Sequence, residues 1–122
     1  MGDGDVSWLE LPGGADCRRT GRFYAAAFGW LVDDDGATVW FREPGGGLGG
    51  AFVADLPAAD AGPILYLATA DAAAALARIR DLGGMVILDR TLIAPGVGHR
   101  ALFRDPAGTT MGVFERAPQD GS

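Results

Sequence analysis

Hydrophobic and polar positions along the chain change period several times, and the changes recur in the same order twice. VSWLEL (residues 6–11) alternates as a half-buried strand does, and PGGA interrupts it. From Asp16 the spacing becomes that of a helix running to Phe28, with Asp16 as N-cap and Gly29 as its left-handed stop. This helix is expected to bury Phe23, Ala27 and one side of Tyr24 and Phe28. WLV and ATVWFRE follow as strands joined by a hairpin turn at Asp33, Asp34, Asp35 and Gly36, and residues 44–47 turn the chain again into LGGAFVA. The first half therefore predicts a strand, a helix and three strands.

After residues 55–62, rich in Pro, Ala, Asp and Gly, the order repeats. ILYLAT predicts a strand and Asp71 an N-cap. AAAALARIRDL predicts a helix of high propensity with Leu76, Ile79 and Leu82 as its core stripe, closed by Gly83 and Gly84. MVILD is the next strand, RTLIAPGVG a loop longer than its counterpart, and HRALFRD and TTMGVFE two strands around a turn at residues 106–108. The halves also echo each other in letters. FREPGGGLGGAF (residues 41–52) and FRDPAGTTMGVF (residues 103–114) align at an offset of 62, carrying Phe41 onto Phe103, Gly50 onto Gly112 and Phe52 onto Phe114.

An α+β fold of two tandem βαβββ modules accounts for this repeat. The first module covers about residues 5–54, a linker 55–62, the second module about 63–116, and a polar tail 117–122. With 122 residues, 48% of them hydrophobic, the chain suffices for one domain and is short for two independent ones. Apolar runs such as residues 63–70 are far below the length of a membrane span, and the first residues are acidic where a secretory signal is basic, so a cytoplasmic protein is expected. A single cysteine, Cys17, rules out an internal disulfide. Its place just after the helix cap suggests a thiol whose pKa the helix dipole could lower, against the plainer reading of a half-buried helix residue. Sixteen acidic residues against ten basic ones, all arginine, give a net charge of −6, which argues against nucleic acid as a partner.

WLELP, FYAAAFGW, DAAAALARIRDLGG and APGVGHRALFRDPAGTTMGVFE, taken in this order, resemble the vicinal oxygen chelate superfamily of glyoxalases, bleomycin-resistance proteins and ring-cleaving dioxygenases. The resemblance implies a curved mixed sheet around a cleft, and a homodimer. In metal-using members four side chains, two per module, supply His and Glu ligands; the alignment puts Trp8, Gly50, Ile64 and Gly112 at those positions. None has a ligating side chain, and a chain with one His and one Cys is poorly stocked for zinc, iron or nickel. No metal and no cofactor are expected. The acidic run DDDG lacks the spacing of a calcium loop and reads as the hairpin turn.

The aligned positions fix which side of each strand meets the cleft. Trp8, Glu10, Ile64, Tyr66 and Phe114 are expected there, with Leu9, Leu11, Leu65, Leu67, Met111 and Val113 toward the helices. Trp8, Trp40, Phe52, Tyr66 and Phe114 could line an aromatic slot, Gly49 and Gly50 let another backbone or a bulky ligand come close, and Gly50 and Gly112 count among the ligand-binding positions. Glu10 is a candidate general base or anchor for a ligand's amine or hydroxyl; Tyr66 and His99 are candidate acid–base partners. Arg42 and Arg104, each beside a carboxylate in the repeat, suit a turn-stabilising role. Three functions fit. The first is metal-independent binding of a hydrophobic or aromatic small molecule, as in antibiotic sequestration. The second is a metal-free isomerase, cyclase or lyase using Glu10 with Tyr66 or His99. The third is a dimeric interaction module whose site has degenerated.

Overall fold

A computed structural model describes residues 3, 5–58 and 62–118. The chain divides into two compact units, Met1–Ala58 and Ala59–Ser122, at a point inside the expected linker. Residues 59–61 of that linker and 119–122 of the expected tail lie outside the described residues.

In the first unit, β1 (Leu9–Pro12), α1 (Cys17–Phe28), β2 (Leu31–Asp34), β3 (Val39–Arg42) and β4 (Gly49–Val53) form one βαβββ module. The sheet order is β1-β4-β3-β2, with β1 parallel to β4 and the other pairs antiparallel. The Asp16 carboxylate caps α1 by accepting from the Arg19 N–H at 3.2 Å. Gly29, at φ 72°, ends it with its N–H on the Ala25 carbonyl. Thr20, Gly21, Phe23, Tyr24 and Ala27 are buried on the sheet. Tyr24 is fully buried, not half so, because it sits inside an aromatic stack: its ring lies 4.5 Å from Trp30 and 5.8 Å from Phe52, and Trp30 lies 4.8 Å from Phe41.

Two expected boundaries move. Residues 6–8 precede β1 and do not belong to it. The hairpin turn lies at residues 35–38, so Asp33 and Asp34 are strand residues. Asp35 is the residue that makes the turn: its Oδ1 accepts from the N–H groups of Ala37 and Thr38 at 2.9 and 2.7 Å.

In the second unit, β5 (Tyr66–Ala68), α2 (Ala72–Asp81), β6 (Met85–Ala94), β7 (Gly98–Arg104) and β8 (Thr110–Arg116) repeat the module, in sheet order β5-β8-β7-β6. Asp71 caps α2 through the Ala74 N–H at 3.0 Å. The buried face of α2 is Ala72, Ala75, Leu76 and Ile79. Leu82, expected in that stripe, is 37% exposed because the helix stops before it and its N–H closes the last turn on Arg78.

The segment expected as the loop RTLIAPGVG is strand for half its length. β6 runs on through Ala94, pairing Thr91 with Arg100 and Leu92 with His99, and only residues 95–97 turn. Three register shifts along β6 absorb the irregular spacing that disguised it as a loop. Thr, Leu and Ile are good strand residues, and pairing with β7 overrides the loop signal of the Pro and Gly that follow.

The echo between the two halves slips by one residue in the structure. Arg42 pairs with Gly49, seven positions on, whereas Arg104 pairs with Thr110, six positions on. The glycine-rich turn of the first unit therefore holds one residue more. Beyond it Gly50 corresponds to Met111, Ala51 to Gly112 and Phe52 to Val113.

Candidate functional site

That slip decides which residues face away from the helices. Strand alternation on the first sheet puts Leu11, Val39, Phe41 and Phe52 against α1, all of them 6% exposed or less. Gly50, paired with Phe41 and Leu9, lies on this helix side. A Cβ there would fall 1.8 Å from the Leu9 carbonyl oxygen and 2.7 Å from the Phe41 ring. A side chain at position 50 would point to the helix side, and Ala51 takes that place on the open face, although Gly50 still borders the groove lined by Trp8 and Asp33; Phe52 is a core ring stacked on Tyr24 and Phe41 and reaches the groove lined by Glu10.

The open face of the first sheet carries Glu10 and Trp40, both cross-strand partners of Ala51, and Asp33, the partner of Trp40. Trp8 meets Trp40 edge to face at a centroid distance of 6.1 Å. The two indoles are 48% and 38% exposed, yet Trp40 is fixed, since its Nε1–H donates to Asp35 Oδ2 at 2.9 Å. That bond, with the Thr38 and Ala37 N–H groups, holds the Asp35 carboxyl below its usual range. Trp8, Leu31, Asp33, Trp40 and Arg42 line a groove of about 340 Å³. Glu10, Ala51 and Val53 line a further one of about 520 Å³ that also borders Trp8 and Trp40.

On the second sheet, alternation turns Met111 and Val113 inward, nearly inaccessible, and leaves Tyr66, Gly112 and Phe114 on the open side. Tyr66 is 40% exposed, and its ring lies over Gly112, within 2.4 Å of where a Cβ would stand. Arg100, the cross-strand partner of Phe114, donates from its guanidinium to the Tyr66 hydroxyl oxygen at 2.9 Å. The bond leaves the phenol proton free to be donated outward. Sequence reading missed Arg100; its place two residues before Leu102, the strand partner of Gly112, is visible only once the register is known. Ile64 precedes β5 and is half-buried.

His99 does not join Tyr66. It alternates with Arg100, so it lies on the helix side of the sheet, where Arg90 donates to its Nδ1 at 3.2 Å and Glu115 Oε2 lies 3.8 Å away. With Nδ1 accepting, the ring proton resides on Nε2. Glu115 is the hub of this cluster. Its carboxylate takes two N–H groups of Arg90, at 2.6 and 3.2 Å, and the Ala72 N–H at the start of α2, at 2.8 Å. Arg90 first, then the Ala72 N–H, pull its pKa down to about 2. The same pairing raises that of Arg90. This arrangement binds α2, β6, β7 and β8 together, so His99 has a structural setting, on the opposite side of the sheet from Tyr66.

Other expectations resolve locally. Arg42 serves its turn, donating to the Gly47 carbonyl at 3.0 Å. In the second unit the turn is held by Asp105, whose Oδ1 accepts from Ala107 and Thr109, and not by Arg104. Burial, aided by the Asp16 charge, pushes the Cys17 thiol up, opposite to activation by the helix dipole. The positions that the resemblance aligns with metal ligands, Trp8, Gly50, Ile64 and Gly112, offer no ligating side chain, and neither does Ala51 beside Gly50 on the open face. Among the described residues no three His, Cys, Asp or Glu side chains gather to hold a metal ion. The residues present do not fit a metal centre at that place. No helix among the described residues is long and apolar enough to cross a membrane.

Comparison with known proteins agrees with this architecture. The chain is 31% identical to the anthracycline biosynthesis protein DnrV of Streptomyces peucetius over 98% of its own length and 50% of the relative's. It thus spans about half the length of the curated relatives it matches. Among solved structures, a glyoxalase-related enzyme from Fulvimarina pelagi superposes with a TM-score of 0.71 at 21% identity, covering 98% of this chain and 96% of that one. The antibiotic binding protein TnmS3 from Streptomyces sp. CB03234 gives 0.68 at 23% identity, covering 96% and 99%. The pattern of the glyoxalase-like domain matches residues 14–114, and the chain belongs to that family, within the vicinal oxygen chelate superfamily.

Proposed function

We propose that this protein binds a flat, hydrophobic small molecule on the open faces of its sheets, without a metal ion, and returns it unchanged. The observation that carries the reading is the state of the aromatic residues there. Trp8, Trp40 and Tyr66 expose large apolar surface while hydrogen bonds from Trp40 to Asp35 and from Arg100 to Tyr66 hold two of them in place. Exposed rings that are already ordered lose little entropy when a ligand covers them, which favours binding. Relatives support the reading: one is named for anthracycline biosynthesis and a structural neighbour for antibiotic binding. Trp8, Glu10, Trp40, Ile64, Tyr66, Gly112 and Phe114 are the proposed contact residues, with Ala51 in the place first given to Gly50. The relation to those relatives makes an aromatic polyketide antibiotic, or a precursor of one, the ligand class, and sequestration in the cytoplasm the role.

A catalytic reading has one feature in its favour, the Tyr66 phenol oriented by Arg100. A titration with an anthracycline separates the two. Binding alone gives a saturable rise in thermal stability, about 2.7 kcal/mol at a hundredfold excess over Kd, with the compound recovered intact by chromatography. Conversion of the compound, abolished by Glu10→Gln, establishes the enzyme instead, and absence of any shift refutes both.

Homodimerisation belongs to the same proposal. β6 is an edge strand whose Met85, Ile87, Leu92 and Ile93 are 44–60% exposed, an apolar edge that a second copy would cover. A monomeric mass by light scattering would refute it.

A further inference from the structure

We infer that the open face of the first unit selects a protonated amine on its ligand. The inference rests on the binding reading above and adds a charge requirement to it. Two observations combine. The indoles of Trp8 and Trp40 meet edge to face at 6.1 Å, an arrangement that presents ring faces in two directions to one small volume. The groove they line, about 340 Å³, is at the small end of the range for ligand pockets, so a group held in it lies close to the indoles. A cation placed over such faces is held by the ring quadrupoles, as in the aromatic cages that recognise ammonium groups.

The charges around the pair have the matching sign. Asp33 is the strand partner of Trp40 and lines the groove, and Glu10 shares Trp40's neighbour Ala51 on the same face. Neither carboxylate has a hydrogen-bond or ion-pair partner among the described residues. Asp35 accepts the Trp40 Nε1–H, which puts a negative charge at the edge of that ring and strengthens its attraction for a cation. Arg42, the cation among the described residues that lines the groove, turns its guanidinium to the Gly47 carbonyl. Three carboxylates, two indoles and a diverted arginine make an ammonium the complementary group; a carboxylate or phosphate would be repelled.

The test uses naphthylmethylamine, cationic at neutral pH, and naphthylmethanol, its neutral counterpart with the same ring. Binding is followed by NMR through the indole N–H signals of the three tryptophans, of which Trp30 is buried and serves as the internal control. The amine is expected to bind roughly tenfold more tightly than the alcohol, moving the Trp8 and Trp40 signals and leaving Trp30 in place. In the variant carrying both Asp33→Asn and Glu10→Gln the preference for the amine over the alcohol should be lost. Equal affinities in the unmodified protein overturn the amine requirement while leaving small-molecule binding intact. A preference that survives the double variant overturns the role of the two carboxylates. Binding of neither compound at millimolar concentration overturns this inference together with the reading beneath it.

Discussion

Replacing Gly50 with alanine tests the slip between the two halves more directly than any ligand experiment. The added methyl carbon would stand 1.8 Å from the Leu9 carbonyl oxygen and 2.7 Å from the edge of the Phe41 ring. The first obstacle is backbone, and it belongs to the pair that opens the β1–β4 ladder. Relief therefore requires β1 to move away from β4. Overpacking of this kind costs about 1–3 kcal/mol, and an immovable backbone atom puts this case near the top of the range. Lower entropy of the unfolded chain returns about 0.4–1 kcal/mol. A net loss of roughly 2 kcal/mol remains.

The control is Gly112→Ala. Its methyl would also clash, at 2.4 Å, but with the side chain of Tyr66. That ring is 40% exposed and can swing outward, giving up its bond with Arg100. The cost should stay under about 1 kcal/mol, the scale of one exposed hydrogen bond. Urea denaturation of both variants, with the slope m checked for constancy, measures the contrast. In thermal terms the first variant should melt roughly 6–12 °C lower, by interpolation for a chain of this length. If the two variants lose equal stability, or Gly50→Ala lies within about 0.5 kcal/mol of the parent, Gly50 does not sit between Leu9 and Phe41 and the register argued from the longer turn is wrong.

Two further predictions concern the scaffold. Glu115 has its pKa lowered from 4.5 to about 2, so its contribution to stability is complete above pH 4.5 and disappears as the pH falls toward 2. Urea midpoints measured across that window should fall less steeply for Glu115→Gln than for the parent, and parallel curves would refute the assignment of Glu115 as the hub. Asp71→Ala removes the bond to the Ala74 N–H and should cost about 1 kcal/mol, with hydrogen exchange quickening in the first turn of α2; unchanged exchange there would contradict the cap.

Element order was legible in the sequence because both helices announce themselves at each end: Asp16 and Gly29 bracket α1, and Asp71 and Gly83 bracket α2. These signals are local, and local signals survive without knowledge of the partner strands. The far half of β6 was not legible, since its pairing with β7 passes through register shifts that no fixed alternation describes. The cluster of Arg90, His99 and Glu115 was hidden for a related reason. Its members come from three strands and close on the N-terminus of α2, so each alone reads as a surface charge. Glu10 and Tyr66 were assigned a face by alternation counted from the positions aligned with the family, whereas at Gly50 and Phe52 the count crosses a turn one residue longer than the repeat suggests, so their side chains' direction was not legible.

Correcting that turn sharpens the functional comparison of the two modules. The equivalent cross-strand rows are Glu10, Ala51 and Trp40 in one unit and Tyr66, Gly112 and Leu102 in the other. Each row pairs a polar-ended side chain with a small central residue and a large apolar one. The small residue keeps the middle of the sheet accessible. The charge of the rows has meanwhile diverged: Asp33 accompanies the first and Arg100 accompanies the second. Two modules that share a small centre and an apolar flank therefore present open faces of different charge, the first acidic through Glu10 and Asp33 and the second carrying Arg100.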